Sequence, residues 1–256
     1  MSDNTLVVTG MHRSGTSLFM SFLERCGISL GNRLYPPNPG NPRGYFEDER
    51  LIALHNQILE REGYDYLLKS LDFSVRPDKT DVTRAREIIR DLHLHSETET
   101  VAIKDPRISL FLEMWDEVLQ HRGKYVFLIR HPKKVTYSLL RRNDPILEWY
   151  PHAALTSWYV YNRHIEDFCR KEPGRSIVID ISDFTSSPSK YIDLLRKRYG
   201  LHLSEEAFYK VYHNKDLNRK GGMVPKIKTA LVRYTAPVLY RKSLQLYRRL
   251  SMKSFV

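Results

Sequence analysis

Residues 6–17 of the chain read Leu-Val-Val-Thr-Gly-Met-His-Arg-Ser-Gly-Thr-Ser. The first four are apolar or β-branched and predict a buried strand, and Gly10 and Gly15 permit the tight turn that follows. The helix predicted over residues 16–26 directs its free N–H groups and positive dipole end at that turn, an arrangement that binds anions. This stretch therefore predicts a strand, a phosphate-binding loop and a helix, the first unit of an α/β fold.

The loop differs from that of nucleoside triphosphatases at one position. Loops of that kind read Gly-x-x-x-x-Gly-Lys-Ser/Thr, with the lysine on the β- and γ-phosphates and the hydroxyl on magnesium. Here Thr16 stands at the lysine position, and Arg13 lies inside the loop. We expect the loop to hold a phosphate without running metal-assisted triphosphate chemistry.

Three more short apolar runs, at residues 101–103, 125–129 and 176–179, alternate with long segments of helical period. Continuous apolar strands that alternate with helices are typical of a parallel sheet covered on both faces. The predicted fold class is α/β, in a three-layer α/β/α arrangement whose central layer is a mainly parallel sheet. The further predicted helices cover residues 48–62, 78–95, 107–121, 132–142, 153–171 and 189–199.

Charge is unevenly distributed along the chain. The formal net charge is +11, and residues 219–256 hold ten of the 41 Lys and Arg residues and no Asp or Glu, so the remainder carries 31 basic against 30 acidic groups. A neutral body argues against a nucleic-acid surface, and the basic tail predicts one local anion contact or a membrane-facing segment. We expect one domain over residues 1–217 and a basic helical appendage over residues 218–256, interrupted at Pro237.

The sequence contains no run of 18 apolar residues, and its first residues lead into a strand without a charged and then apolar leader. These features predict neither a transmembrane span nor a signal peptide. The protein is accordingly expected in the cytoplasm, or at most at the inner face of a membrane through its basic tail.

Polar residues follow three predicted strands, and parallel strands bring their carboxyl ends to one edge of the sheet. The first strand leads to Arg13, the second ends in Lys104 and the third ends at Arg130. On the helix after Arg130, Ser138 and Arg142 lie four residues apart on one face, which predicts a second anion pocket. Two phosphate sites suit a nucleotide with phosphates at both ends.

With these motifs in order, the sequence resembles the sulfotransferases that use 3′-phosphoadenosine 5′-phosphosulfate. The resemblance rests on the loop at residues 10–17, Lys-Asp-Pro at residues 104–106 and Arg-x7-Ser-x3-Arg at residues 130–142, and its pattern covers residues 6–200. Within that family the chain is most similar to tyrosylprotein sulfotransferases and bacterial carbohydrate sulfotransferases. The resemblance implies a P-loop-like sulfotransferase fold and an enzyme that moves a sulfuryl group to a hydroxyl acceptor without a metal.

The resemblance also implies a role for each matching residue. The residues expected at the 5′-phosphosulfate are Arg13, Ser14, Gly15, Thr16 and Ser17, and those expected at the 3′-phosphate are Arg130, Ser138 and Arg142. Lys104 is expected at the leaving phosphate or the sulfuryl group. Arg219 and Lys220 are similar to part of the Arg-Lys-Gly loop of cytosolic sulfotransferases, and are further candidates for a nucleotide contact.

Three groups compete for the role of general base. Glu47 matches the base of the related branch and stands between the Pro/Gly-rich residues 36–44 and a predicted helix. Asp48 is its neighbour, and His12 lies in the phosphate loop and titrates near neutrality. A carboxylate in the first turn of a helix also complements the helix dipole, so a structural role is the alternative for Glu47.

The expected acceptor is a carbohydrate or a glycolipid, with small alcohols, phenols and protein tyrosines as alternatives. Two rival functions are a P-loop kinase-like phosphotransferase and a nucleotide-binding module without catalysis. A kinase of this type needs a lysine in the loop and a magnesium-binding carboxylate at a strand end. Thr16 replaces the lysine, and Asp105 at the strand end follows a lysine, which favours sulfuryl transfer.

Overall fold

A parallel sheet forms the centre of the protein. The computed structural model describes residues 4–37, 44–142, 144–212 and 222–252. Its strands are β1 (Asn4–Thr9), β2 (Thr100–Lys104), β3 (Lys124–Ile129) and β4 (Ser176–Asp180). They lie in the order β2-β1-β3-β4, and every neighbouring pair is parallel. The predicted α/β class is confirmed.

Helices cover both faces of this sheet. The α-helices are α1 (Thr16–Arg25), α2 (Glu49–Arg61), α3 (Lys79–Leu94), α4 (Leu112–Val118), α5 (Pro132–Leu140), α6 (Pro145–Trp149), α7 (Ala153–Lys171), α8 (Ile181–Ser186), α9 (Pro188–Tyr199), α10 (Glu205–Val211), α11 (Met223–Thr235) and α12 (Pro237–Met252). Two 3₁₀ turns span Pro106–Leu110 and Pro173–Arg175.

Alternate residues of β1 enter two separate apolar cores. Val7 packs in a core that contains residues of α2, α3, α5 and α7, whereas Leu6 and Val8 pack in a core with α1 and α9. Side chains of a strand point alternately to opposite faces, so the sheet separates two helical layers. The predicted three-layer arrangement follows from this alternation.

The helix predicted over residues 107–121 is shorter than expected, because a 3₁₀ turn takes its first part. The Asp105 carboxylate accepts the N–H of Arg107 at 2.7 Å, and the Ile108 N–H donates to the Asp105 carbonyl at 3.2 Å. The neighbouring residues 108–112 are all buried, which a regular helix with one apolar face does not allow. Positive φ angles at Gln120 and His121 then follow α4.

The basic tail packs onto the body through its two helices. α11 contacts α5, and α12 contacts α7. Val232, Leu246 and Leu250 are buried in the same core as Val7. The predicted interruption at Pro237 is confirmed, since α11 ends at Thr235 and α12 begins at Pro237. Across the described ranges, no helix combines the length and apolar character that crossing a bilayer requires.

Candidate active site

The loop between β1 and α1 lies close against the backbone of the third strand. Gly10 has a φ of 149°, and a Cβ atom there would lie 2.1 Å from the carbonyl oxygen of Leu128. Gly15 has a φ of 95°, and a Cβ atom there would lie 2.4 Å from the side chain of Ile181. Both positions therefore require glycine, and the loop cannot move away from the sheet edge without losing these close contacts.

The loop presents polar groups that have no partner in the described part of the chain. Helix α1 starts at Thr16 without a side-chain cap from any described residue. The side chain of Ser14 is fully buried, and its hydroxyl lacks a hydrogen-bond partner among those residues. A buried hydroxyl left unpaired costs about 1–3 kcal/mol. Together with the helix dipole, this arrangement suits a bound anion that accepts hydrogen bonds.

Ser14, Gly15, Thr16 and Ser17 lie together at this turn, as the sequence predicts. Thr16 is buried, and the hydroxyl of Ser17 donates to the carbonyl oxygen of Tyr45 at 3.4 Å. The segment that leads to Glu47 therefore meets the loop at the first turn of α1.

Arg13 joins the loop to the pocket predicted on α5. Its Nε donates to the hydroxyl of Ser138 at 3.0 Å, and its carbonyl oxygen accepts the guanidinium of Arg130 at 3.1 Å. Burial lowers the pKa of Arg13 to about 9, and the charges of Arg142 and Arg130 act in the same direction. Such crowding of positive charge is unfavourable in the free protein and becomes favourable when an anion binds.

Arg141 and Arg142, which follow α5, both add to the effect of burial in lowering the pKa of Arg13. Burial lowers the pKa of Arg130, and the charge of Arg141 lowers it further. Arg142 also acts on His12, whose pKa is lowered mainly by burial, and the Nη2 atom of Arg142 is buried without a partner in the described residues. Sequence reasoning missed Arg141, although its position three residues after Ser138 on a predicted helix was a usable signal.

Lys104 and Glu47 form a buried ion pair beside the loop. The two residues are 3% and 6% exposed, and the Lys104 ammonium donates to the Glu47 carboxylate and to the Tyr45 carbonyl oxygen, the latter at 3.0 Å. Glu47 is held from the other side, since its carbonyl oxygen accepts the N–H of Tyr35 at 2.7 Å. Burial raises the pKa of the Glu47 carboxyl above its ordinary value, although the charge of Lys104 opposes the shift.

Asp105, the residue after Lys104, is tied down more completely. Each of its carboxylate oxygens lies 3.1 Å from the Arg107 guanidinium, and Nδ1 of His55 lies 3.3 Å from Oδ2. Trp115 Nε1 donates to Nε2 of His55 at 3.0 Å, which leaves the imidazole proton on the nitrogen that faces Asp105. Burial acts to raise the pKa of Asp105, but Arg107 and His55 outweigh it and hold the pKa well below the ordinary value. Asp105 is therefore a structural anchor.

Arg107 is a second residue that sequence reasoning missed. It is buried, its guanidinium lies 5.9 Å from the ring centroid of Tyr66, and its charge favours the ionised form of Glu47. Its Nε atom has no partner in the described part of the chain. The available signal was its place two residues after the strand-end Asp105, where a 3₁₀ turn directs it back to that carboxylate.

The structure separates the three candidate bases. The Asp48 carboxylate accepts the N–H of Arg50 at 2.9 Å and its guanidinium at 3.0 and 2.8 Å, so both oxygens are engaged in capping α2. His12 packs against Tyr66 with ring centroids 4.8 Å apart, and burial lowers its pKa well below 6.5. Its Nε2 is buried without a partner in the described residues. The carboxylate of Asp48 is thus committed to α2 and Arg50, and burial makes His12 a weaker base than the sequence predicts.

Two further predicted residues, Arg219 and Lys220, lie outside the described residues.

The backbone of Arg130 is held by α7, because Trp158 Nε1 donates to its carbonyl oxygen at 2.9 Å. The remaining predicted side chains gather at the carboxyl edge of β2, β1 and β3, in two adjoining groups. One group is Arg13, Arg130 and Ser138, and the other is His12, Glu47 and Lys104. The charge of Arg142 acts on Arg13 and on His12, one residue from each group.

The parallel sheet and the glycine loop at its carboxyl edge define an α/β protein of the P-loop type. Its particular fold is that of sulfotransferase domains. The chain is similar to the sulfotransferase domain of the olefin synthase from Synechococcus PCC 7002, with 20% identity over 97% of this chain and 94% of that chain and a TM-score of 0.56. It is also similar to the sulfotransferase domain from the curacin biosynthetic pathway, with 17% identity over 97% of each chain and a TM-score of 0.52.

No family model and no curated protein matches the sequence. The similarity to solved structures thus carries the fold, which agrees with the resemblance given by the sequence motifs.

Proposed function

We propose that the protein is a sulfotransferase that transfers a sulfuryl group from 3′-phosphoadenosine 5′-phosphosulfate to a hydroxyl acceptor. One observation carries this proposal: a loop with unpaired donors and crowded cations lies beside a buried Lys104–Glu47 ion pair. The first feature suits an anionic donor, and the second supplies a cation and a base at the same sheet edge. The sulfotransferase fold supports the same assignment.

The residues present fit a nucleotide that carries charge at both ends. The N–H groups at the start of α1, with Ser14 and Arg13, would hold the 5′-phosphosulfate. Arg130, Ser138 and Arg142 would hold the 3′-phosphate, with Arg141 as an additional cation nearby. An anion at each end would relieve the charge repulsion that adds to burial in lowering the pKa of Arg13.

Sulfuryl transfer requires in-line attack and neutralisation of the charge that develops on the leaving 5′-phosphate oxygens. Lys104 and Arg13 are the cations placed to neutralise that charge. Glu47 accepts the proton of the acceptor hydroxyl, and its raised pKa brings it closer to neutral pH, where a general base works most efficiently. Lys104 also orients the Glu47 carboxylate through their shared hydrogen bond.

For the acceptor we propose a carbohydrate or a glycolipid. Tyr35 is exposed, its N–H bonds to Glu47, and its ring lies 5.6 Å from that of Tyr45. Aromatic rings offer flat apolar faces with a polar edge, which suits the alternating apolar and hydroxyl surfaces of a sugar. Glu47 would deprotonate a hydroxyl group on the sugar ring of the acceptor.

Calorimetry separates this function from that of a P-loop kinase. We expect 3′-phosphoadenosine 5′-phosphate to bind at least about tenfold more tightly than ATP with magnesium, since two anion sites fit the former and Thr16 replaces the kinase lysine. Asp105 offers no free carboxylate to magnesium because Arg107 and His55 engage it. Tighter binding of ATP would overturn the proposal.

A transfer assay then tests catalysis and the acceptor class. The protein is incubated with radiolabelled donor and with separate fractions of glycans, lipids and small hydroxyl compounds. Label is expected in the glycan or glycolipid fraction. Label in another hydroxyl fraction would retain the enzyme class and reject the acceptor, and tight nucleotide binding with no transfer to any fraction would favour a non-catalytic binding module.

A further inference from the structure

Helix α11 carries apolar side chains on two sides, and packing explains only one of them. Its inner side buries Val232 in the core shared with α5 and α7. Its outer side carries apolar residues three or four positions apart, a spacing that places them in one row along a helix. These residues, the α11 stripe, are Val224, Ile227, Leu231 and Tyr234, each between 51% and 85% exposed.

Exposed aromatic residues also lie in a segment that contacts the end of α11. Nε2 of His152 lies 2.6 Å from the hydroxyl oxygen of Thr235, which joins the end of α11 to the segment before α7. In that segment Trp149 is 80% exposed and Tyr150 is 51% exposed. Tryptophan and tyrosine, with an apolar ring and a polar edge, are the side chains favoured at the boundary between a bilayer and water.

Positive charge borders the α11 stripe on both sides. At the angular spacing of a helix, Lys228 lies beside one edge of the row and Lys226 lies toward the other, whereas the Arg233 guanidinium packs on the Tyr240 ring at 4.7 Å. Residues 219–256 contain no carboxylate side chain to offset them. An apolar row with cations along both edges is complementary to anionic headgroups above an apolar interior.

We propose that the α11 stripe is a docking surface for an anionic lipid bilayer, on which α11 lies in the plane of the interface. Its apolar row would enter the region below the headgroups, and Lys226 and Lys228 would contact lipid phosphates. α11 packs on α5, the helix that carries Ser138. A bilayer fits better than a soluble polyanion, because a polyanion gives no use to the exposed apolar row.

Vesicle flotation of the full chain tests the proposal. We expect binding to phosphatidylcholine vesicles that contain phosphatidylglycerol, and at least about tenfold weaker binding to phosphatidylcholine alone. The pair Ile227→Gln and Leu231→Gln should lower the partition coefficient roughly tenfold or more, through lost apolar burial. The pair Lys226→Gln and Lys228→Gln should lower it about 25-fold, at about fivefold for each charge.

The matched control removes two charges elsewhere, by Lys79→Gln and Lys197→Gln, both at exposed positions on other helices. This control should keep most of the binding, and all variants should keep the thermal melting temperature and nucleotide affinity of the parent protein. The proposal fails if the parent protein ignores lipid charge, or if the control weakens binding as much as the Lys226 and Lys228 pair. Binding to heparin without binding to vesicles would also overturn it, in favour of a polyanionic glycan.

Discussion

Two neighbouring parts of the site use the same chemical groups in opposite ways. One part, which we call the supporting layer, consists of Thr9, Asp105, Arg107 and Ser109. Asp105 is bonded to Arg107, and the Thr9 hydroxyl oxygen lies 2.9 Å from that of Ser109. The other part, which we call the cleft layer, consists of Ser14, Glu47 and Lys104. The Ser14 hydroxyl has no partner among the described residues, and Lys104 is the one side chain among them that bonds to the Glu47 carboxylate. The first layer has its polar groups satisfied before any ligand arrives, and the second does not.

The pKa directions follow this difference. Both carboxylates are buried, and burial acts to raise the pKa of each. Around Asp105 the bonds to Arg107 and His55 exceed that effect, and the pKa falls. Around Glu47 the ammonium group of Lys104 does not outweigh the effect of burial, and the pKa of Glu47 rises. The direction of each pKa shift therefore depends on the charged and hydrogen-bonding groups around the carboxylate as well as on burial.

Glu47→Gln is the largest expected effect in the cleft layer. The amide keeps the shape of the side chain but cannot accept the acceptor proton, so we expect the turnover number to fall by about 10²–10⁴. Affinity for 3′-phosphoadenosine 5′-phosphate, measured by calorimetry, should change by less than about threefold. This corresponds to a change in binding free energy well under about 1.4 kcal/mol.

Asp48→Asn is the matched control, because an asparagine still caps α2. It should leave turnover within about threefold of the parent value. Loss of turnover in Asp48→Asn with full turnover in Glu47→Gln would make Asp48 the base, and full turnover in both would assign that role to His12.

Asp105→Asn addresses the supporting layer. The change leaves the Arg107 charge buried without its partner, so the free energy of unfolding should fall by about 3–5 kcal/mol in urea denaturation. The exposed pair of Asp193 and Arg196, at 3.0 Å, provides the comparison. Asp193→Asn should change stability by less than about 1 kcal/mol. Equal effects of the two changes would contradict the distinction between the layers.

Two serines test the same distinction without charge. Ser14→Ala removes an unpaired hydroxyl, so stability should stay the same or rise by up to about 1 kcal/mol, while nucleotide affinity falls roughly fivefold to tenfold. Ser109→Ala removes a paired hydroxyl, so stability should fall by about 1 kcal/mol with nucleotide affinity unchanged. Urea denaturation and calorimetry measure the two quantities. If Ser14→Ala lowered stability and left affinity intact, Ser14 would belong to the supporting layer.

The smallest expected effect is a difference in how stability depends on pH. A raised native pKa at Glu47 means that its contribution is complete below 4.5 and is lost as pH rises through the native value. Relative to Glu47→Gln, the parent protein should therefore gain stability as pH falls toward 4.5, by at most about 1.4 kcal/mol per pH unit. The lowered pKa of Asp105 has the opposite sign, and its contribution is lost as pH falls below 3.8. Denaturation of both variants across this pH range measures the two slopes, and slopes of the same sign would refute the assignment.

Local patterns were sufficient for much of the fold. The run at residues 6–9 and the glycines at 10 and 15 predict β1, the loop and α1, because an apolar strand and two forced turns leave few alternatives. Pro237 predicts the break between α11 and α12 for the same local reason. The bounds of α4 were mispredicted, since residues 108–112 are buried by contacts from three other elements, and no helical period records such contacts.

The site was less accessible to prediction than the fold. Lys104, Arg13 and Arg130 follow predicted strands, so sheet topology alone brings them to one edge. Glu47 lies 57 residues from Lys104, and only the family resemblance connected the two. Arg107 and Arg141 carry no motif, and their roles depend on the direction of a 3₁₀ turn and on which face of α5 meets the loop.

The backbone of Arg13 has a consequence for protein engineering. Its φ of 72° lies in the left-handed region, where a residue with a side chain costs about 1 kcal/mol or more relative to glycine. Arg13→Gly would relieve this backbone strain, but it would also remove the guanidinium that bridges the loop to Ser138. Selection for stability in this protein therefore has to include turnover in every round, because a change that relieves strain at Arg13 removes a residue of the proposed site for the sulfuryl donor.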